Sequence, residues 1–324
     1  MVAKLANQVE NVLNETRMLI LGAQVLLGFQ FQAVLQPGFE RLPPALQDLK
    51  VVGLGLMLLA VGLLLSPGAF HQIVERGNDS PRVVAFTSRI ATLALLPFAV
   101  GMGLDVYLAT TVVLGTAAAL PAGLAATACA LAFWYGIEWY LRARQPPTPS
   151  TREDRQMSSG STDLSTKIEQ VLTEARVVLP GAQALLGFQF AAILMDAFEK
   201  LPRTSQLVHL ASLGLIAASI VFLMSPTAFH RIVERGQDTE RMRRFSSAMV
   251  LCAMVPLAFG IAGDCYVVVD KVLDSAGLAL TLAGLSLVFF FGLWFGVTLA
   301  LRARIDTAAS GRQPISAISR PSAR

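Results

Sequence analysis

Polar and apolar residues follow the same order twice along this chain. The stretch from Glu15 to Leu35 recurs from Glu174 to Leu194, so position 15 corresponds to position 174, a displacement of 159. Each copy starts with Glu-x-Arg and continues into an apolar run that, at about 1.5 Å per helical residue, is long enough to enter a bilayer. The pattern therefore predicts two homologous units of membrane helices.

Polar and Pro-rich gaps divide each copy into four apolar spans. The predicted spans lie at about residues 18–35, 51–65, 88–109 and 117–140, with counterparts that include 210–223, 247–269 and 276–300. Together they make an all-α integral membrane bundle of eight transmembrane helices. Because each copy crosses the membrane an even number of times, the two four-helix repeats are predicted to lie parallel, related by a pseudo-two-fold axis along the membrane normal.

Two further segments in each copy predict short cytoplasmic interfacial helices. Apolar residues at helical spacing over 5–17 and 164–172 predict an amphipathic helix, which lies either at the interface or on the protein's own loops. The second segment is SPGAFHQIVERG at Ser66–Gly77 and SPTAFHRIVERG at Ser225–Gly236. Ser suits an N-cap, Pro the first helical position and Gly the residue after a helix end, so a separate short helix is expected after span two.

The repeats and the polar segments between them define the domain boundaries. We predict a first four-span repeat over 1–144, a flexible cytoplasmic linker over 145–162 and a second repeat over 163–304. A disordered cytoplasmic tail is predicted over 305–324, because its composition resembles that of the linker, which is rich in Pro, Ser, Thr and charge.

Composition agrees with a membrane protein and sets its orientation. Hydrophobic residues make up 54% of the chain and charged residues 15%, with a mean hydropathy of +0.58. An ionised side chain at mid-bilayer costs about 2.5 to 3.5 kcal/mol, which explains why long apolar stretches are nearly free of charge and the arginines gather between them. Arginines concentrate after span two and in the linker and tail, so the positive-inside rule places both termini in the cytoplasm. The net charge of +4 comes without a basic, aromatic-interleaved patch, which argues against nucleic-acid binding.

Polar residues that recur within the spans are the candidate site residues. Gln24 and Gln30 recur as Gln183 and Gln189; such amides either join neighbouring helices or line a polar path. Asp105 and Asp264, in the outer third of span three, are candidates for a cation or proton site. The groups that open span one, either as an anchoring ion pair or as a binding site, are Glu15, Arg17, Glu174 and Arg176.

A His and a Glu also recur at i, i+4 in the Ser-Pro segment, as His71 with Glu75 and His230 with Glu234. Under the pseudo-two-fold axis these pairs could converge on a metal, but each Glu could equally pair with a basic neighbour. The spacing is not HExxH, and no P-loop, nucleophile elbow or dinucleotide fingerprint occurs. We therefore predict no catalytic residue and no cofactor, and we interpret the cysteines, Cys129, Cys252 and Cys265, as apolar fillers.

The order E-x-R, GAQxLLGFQF and SPxAFHxIVERG in a four-span unit resembles a bacterial family of small membrane proteins whose domain has no known function. The resemblance covers nearly all of each half and implies a bacterial cytoplasmic membrane location. Because that family looks mostly like single units, the tandem duplication here implies a fused dimer.

Two functions compete at this point. In the first, the chain is a structural or partner-binding scaffold in the lipid bilayer, whose cytoplasmic face meets a protein partner or anionic lipid. In the second, it is a transporter or channel with a polar path between the repeats. A continuous hydrated cavity lined by Gln24, Gln183, Asp105 and Asp264 favours transport, whereas a closed apolar interface favours scaffolding.

Overall fold

The structure, a computed structural model, describes residues 2–136, 164–232 and 239–310, and the regular structure within these ranges is helical. The helices of repeat one are α1 (Val2–Ala33), α2 (Pro44–Ile73), α3 (Pro81–Leu114) and α4 (Thr116–Leu131). Those of repeat two are α5 (Leu164–Ile193), α6 (Arg203–Ile232), α7 (Glu240–Leu273) and α8 (Ala276–Phe291). A π-helical segment follows α4 (Ala132–Gly136) and α8 (Gly292–Val297), and α9 (Thr298–Ser310) continues repeat two.

Length and apolar composition identify the helices that can cross a membrane. Within the described residues, seven helical stretches are long and apolar enough to do so. The apolar part of α1, Leu19–Ala33, is shorter, although its counterpart Val171–Ile193 in α5 qualifies. The all-helical class with two repeats is thus confirmed, while the count of eight spans stays a prediction.

The separate helix expected at the Ser-Pro motif does not form, because α2 runs unbroken through Pro67 and α6 through Pro226. Proline removes the N–H that would bond the carbonyl four residues earlier, which for Pro67 is that of Leu63. The hydroxyl of Ser66 donates to the Leu63 oxygen at 2.8 Å and satisfies it. Ser66 therefore repairs a continuous helix instead of capping a new one.

The amphipathic segments near the amino end of each repeat are not separate helices either. Residues 5–17 are the first turns of α1, and 164–172 those of α5, since no helix-breaking residue precedes the apolar run. At the other end, α9 reaches Ser310, past Arg304, where the tail was expected to begin. The predicted linker, 145–162, lies outside the described residues.

The two repeats meet along their first helices, where equivalent residues touch. The rings of Phe29 and Phe188 lie 4.5 Å apart, and the Gln36 amide nitrogen lies 3.9 Å from the Met195 sulfur. Both pairs are separated by the repeat displacement, so α1 and α5 lie side by side in register. One apolar core continues through both repeats across this contact.

Beyond this contact the repeats pack asymmetrically. Helix α2 contacts three parts of repeat two, namely α7, the π-helical segment that follows α8, and α9. Within the described residues α6, the counterpart of α2, makes no comparable contact with α3 or α4. Trp294 is fully buried there and donates its indole N–H to the Gly62 carbonyl at 2.8 Å. Packing between the repeats therefore buries Trp294, although tryptophan near the end of a membrane span is typical of an aromatic belt at the membrane surface.

Ion pairs join the repeats at both ends of the bundle. Lys271, near the end of α7, contacts Glu40 in the loop after α1 at 2.7 Å. The hydrogen bond from Lys271, with the charges of Lys271 and Lys200, lowers the pKa of the Glu40 carboxyl below its ordinary value. At the opposite end Arg76 lies 3.6 Å from Asp306 of α9. These exposed pairs orient the repeats without supplying much stability.

Candidate functional site: an amide, cation and carboxylate triad in each repeat

Three helices of repeat one bring an amide, an ammonium and a carboxylate together. The Gln30 amide, on α1, donates to Asp105 Oδ2 at 2.6 Å. The Lys50 ammonium, on α2, donates to Asp105 Oδ1 at 2.8 Å. Both oxygens of the Asp105 carboxylate, on α3, thus accept a hydrogen bond, and its charge is balanced by lysine.

Repeat two builds the same triad with histidine in place of lysine. The Gln189 amide donates to Asp264 Oδ2 at 2.6 Å, and His209 Nδ1 lies 3.2 Å from Asp264 Oδ1. His209 Nε2 also lies 3.0 Å from the backbone oxygen of Gln189. Both ring nitrogens therefore contact an oxygen. His209 and Asp264 are neutral together, either as imidazolium with carboxylate or as imidazole with carboxyl, so the net charge of this triad equals that of repeat one.

Sequence reasoning found two members of each triad and missed the third. Gln30, Gln189, Asp105 and Asp264 were predicted as separate candidates, and the structure joins them in pairs. Lys50 and His209 were not among the predicted site residues. A signal was present, because the two residues correspond under the displacement of 159 and each lies directly before the predicted start of span two.

The two triads differ in their access to the outside. The Asp264 side chain is 1% exposed and faces a void of about 10 Å³, whereas the Asp105 side chain is 32% exposed. Asp105, Lys50 and Gln30 line a pocket of about 570 Å³ between α1, the loop after it and α3. The polar set that is sealed in repeat two is therefore open in repeat one.

The asymmetric packing explains this difference. Three buried residues near the end of α1 and in the turn after it, Phe31, Val34 and Leu35, help to close the void beside Asp264. Two of their counterparts in repeat two, Phe190 and Leu194, are 61% and 73% exposed. Repeat one therefore covers the triad of repeat two, whereas repeat two does not cover the triad of repeat one.

Gln24 and Gln183, the other predicted amides, do not join either triad. Gln24 is fully buried in α1 against the backbone of Gly181 in α5, and its amide has no hydrogen-bond partner among the described residues. Gln183 is exposed. Neither lines the pocket of Asp105 or the void of Asp264, so the four polar residues do not share one cavity.

The remaining predicted residues lie at the other end of the bundle. His71 is fully buried and Glu75 partly buried, while the side chain of His230 and the whole of Glu234 lie outside the described residues. A metal set of these four therefore stays an untested hypothesis. Arg176 is exposed, and the side chains of Glu15, Arg17 and Glu174 lie outside the described part of the chain.

These features define a class: an all-helical protein of two homologous repeats, with helices suited to cross a membrane and one polar triad per repeat. The chain belongs to a family of unknown function, DUF6328, which matches residues 2–138 and again 159–298. This confirms the resemblance seen in the sequence and the tandem duplication. Comparison with curated proteins and with solved structures finds no match.

Proposed function

We propose that this protein is a membrane-embedded binding module, built as a fused dimer, whose binding site is the triad of repeat one. The observation that carries this proposal is the contrast between the sealed triad around Asp264 and the open one around Asp105. A polar set used only to hold helices together gains from being sealed, because desolvation strengthens its hydrogen bonds. In this proposal repeat two keeps that structural role, and repeat one offers its triad to a ligand.

The proposed setting is the bacterial cytoplasmic membrane, with eight spans, parallel repeats and both termini in the cytoplasm. The like-with-like contacts of α1 with α5 support the parallel arrangement, and the arginine-rich loops after span two support the orientation. The triads then lie toward the outer face. The arginine-rich cytoplasmic loops remain a proposed surface for a protein partner or anionic lipid.

A binding role fits the structure better than a channel or transporter. Phe29 and Phe188 close the contact between the repeats, and Asp105 and Asp264 line separate spaces. A carrier usually places its site between the repeats near the bilayer midplane. The proposed site lies instead within one repeat, toward one end of its helices.

Thiol accessibility tests the proposed site with a matched pair of variants. In a chain whose native cysteines are replaced, Ala109→Cys places a thiol in the pocket of repeat one, and Val268→Cys places one at the equivalent, buried position of repeat two. We expect a small water-soluble maleimide to modify Ala109→Cys much faster than Val268→Cys. Equal rates would overturn the proposal.

A flux assay separates binding from transport. Proteoliposomes with the wild-type chain are compared with proteoliposomes that carry Asp105→Asn plus Asp264→Asn, over a broad panel of small solutes and ions. We expect no substrate-dependent flux from either protein. Flux that depends on the two carboxylates would replace the binding module with a carrier.

A further inference from the structure

We propose that the pocket of repeat one binds the head group of a zwitterionic lipid with a primary ammonium, of the phosphoethanolamine type. This inference rests on the binding site proposed above and names its ligand class. It follows from three properties of the pocket: the position of its opening, its charge balance and the kind of donor that its carboxylate needs.

The opening of the pocket has an apolar side on α1 and α3 and a polar side at Gln36 and Gly38, beyond the end of α1. Phe29 and Val112 line the pocket and are themselves exposed, and the exposed apolar surface of α3 continues through Val113 and Leu114. In a membrane-embedded chain such surface lies against acyl chains. A ligand that reaches Lys50 and Asp105 past this rim therefore has a polar head and an apolar tail.

The charge balance of the pocket selects the head group. Lys50 and Asp105 neutralise each other at 2.8 Å, and Gln30 adds a neutral donor. An anionic group that captured Lys50 would leave Asp105 unpaired in a partly desolvated site, and a cationic ligand would leave Lys50 unpaired. A zwitterion avoids both costs, because its phosphate pairs with Lys50 while its ammonium pairs with Asp105.

The Asp105 carboxylate further distinguishes between zwitterions. Both of its oxygens accept N–H hydrogen bonds, one from Lys50 and one from Gln30. A primary ammonium that displaces Lys50 donates an N–H in its place, whereas a quaternary ammonium has none to donate. One hydrogen bond to a charged group corresponds to a preference of about tenfold for the primary amine.

Protection of a pocket thiol measures this preference. The Ala109→Cys chain, without native cysteines, is placed in nanodiscs of phosphatidylcholine with increasing fractions of phosphatidylethanolamine or phosphatidylglycerol, and the rate of maleimide modification is followed. With a tenfold preference over phosphatidylcholine, we expect protection to reach half of its maximum at about one tenth phosphatidylethanolamine, and phosphatidylglycerol to add no such protection. An unchanged rate as phosphatidylethanolamine replaces phosphatidylcholine, or equal protection by phosphatidylglycerol, would overturn the inference.

Two variants connect the protection to the triad. Lys50→Gln combined with Asp105→Asn removes both charges without leaving one unpaired, and we expect it to abolish the preference for phosphatidylethanolamine. Lys50→His copies the pair of repeat two and retains an N–H donor to Asp105, so it should retain part of the preference and controls for misfolding. A preference that survives removal of both charges would overturn the inference.

The outcomes separate this inference from the proposed function. If Ala109→Cys reacts faster than Val268→Cys but no lipid protects it selectively, the binding site stands and the lipid inference fails. If the two thiols react equally, both fail. If soluble phosphoethanolamine protects the thiol as well as the lipid does, the ligand is a free metabolite and the lipid inference is overturned.

Discussion

The two aspartates of the triads are the residues at which the two repeats differ most clearly. Asp105 and Asp264 occupy equivalent positions and accept the same amide hydrogen bond at 2.6 Å, yet one is open and the other sealed. A buried charge depends on its partners, while an exposed one is also hydrated. The same residue is therefore sealed in one repeat and exposed in the other, which is the basis of the roles proposed for them.

This division predicts unequal effects on stability. Asp264→Ala leaves His209 buried beside Gln189 without its counter-charge, which is expected to cost about 3 to 5 kcal/mol. Asp105→Ala is expected to cost about 1 kcal/mol, since water in the pocket hydrates the Lys50 ammonium after its partner is removed. Denaturant unfolding in mild detergent micelles measures both. Equal losses would contradict the division, and Asp264→Leu with His209→Leu should recover part of the stability.

At the scale of helices, the contact between α1 and α5 holds the repeats in register through small residues and a pair of tilted rings, Phe29 and Phe188. A side chain at Gly28 of α1 would overlap the ring of Phe188, which in turn packs on Phe29. The equivalent Gly187 in α5 has open space around it. At this pair of positions the contact needs glycine only on α1, whereas at the pair Gly22 and Gly181 it needs glycine only on α5, where Gln24 packs on Gly181.

Alanine substitution tests this requirement. Gly28→Ala is expected to destabilise the chain by about 1 to 3 kcal/mol, because it displaces the Phe188 ring in a packed interface. Gly187→Ala is expected to be neutral or slightly stabilising, since alanine favours a helix by up to about 1 kcal/mol over glycine. The free energy of unfolding of both variants, measured under the same detergent conditions, tests this prediction. A tolerated Gly28→Ala would show that the α1–α5 contact is loose.

At the scale of the whole molecule, duplication in one chain permits an asymmetry that two identical subunits rarely hold. The second repeat wraps α7, the π-helical segment and α9 around α2, and buries Trp294 against it. The first repeat makes no comparable contact in return within the described residues. At the triads the covering runs the other way, because Phe31, Val34 and Leu35 of repeat one close the void beside Asp264.

The proposed topology predicts where impermeant reagents reach the chain. Without the native cysteines, we expect Arg41→Cys and its equivalent Lys200→Cys to be labelled by an impermeant maleimide in intact cells. Arg82→Cys and its equivalent Arg241→Cys should react only after permeabilisation, because the arginine-rich loops are placed inside. Labelling that divides either equivalent pair between the two sides would show that the repeats are antiparallel.

Local pattern explains what could be predicted from the sequence. Helical class, repeat boundaries and the candidacy of Gln30 and Asp105 follow from apolar length and from polar residues placed where hydrocarbon penalises them. The helix boundary at Ser66 was wrong, because a capping signal and a repair of proline's lost hydrogen bond use the same dipeptide. Local sequence does not distinguish these two uses.

Two units of membrane-length helices follow from the amino-acid pattern, since burying an apolar run in lipid depends only on its length and composition. The packing of three separate helices, in contrast, brings Gln30, Lys50 and Asp105 together. Packing also decides which triad stays open. Which triad is open depends on which repeat covers the other, and the nearly identical segments Glu15–Leu35 and Glu174–Leu194 do not differ in a way that predicts it.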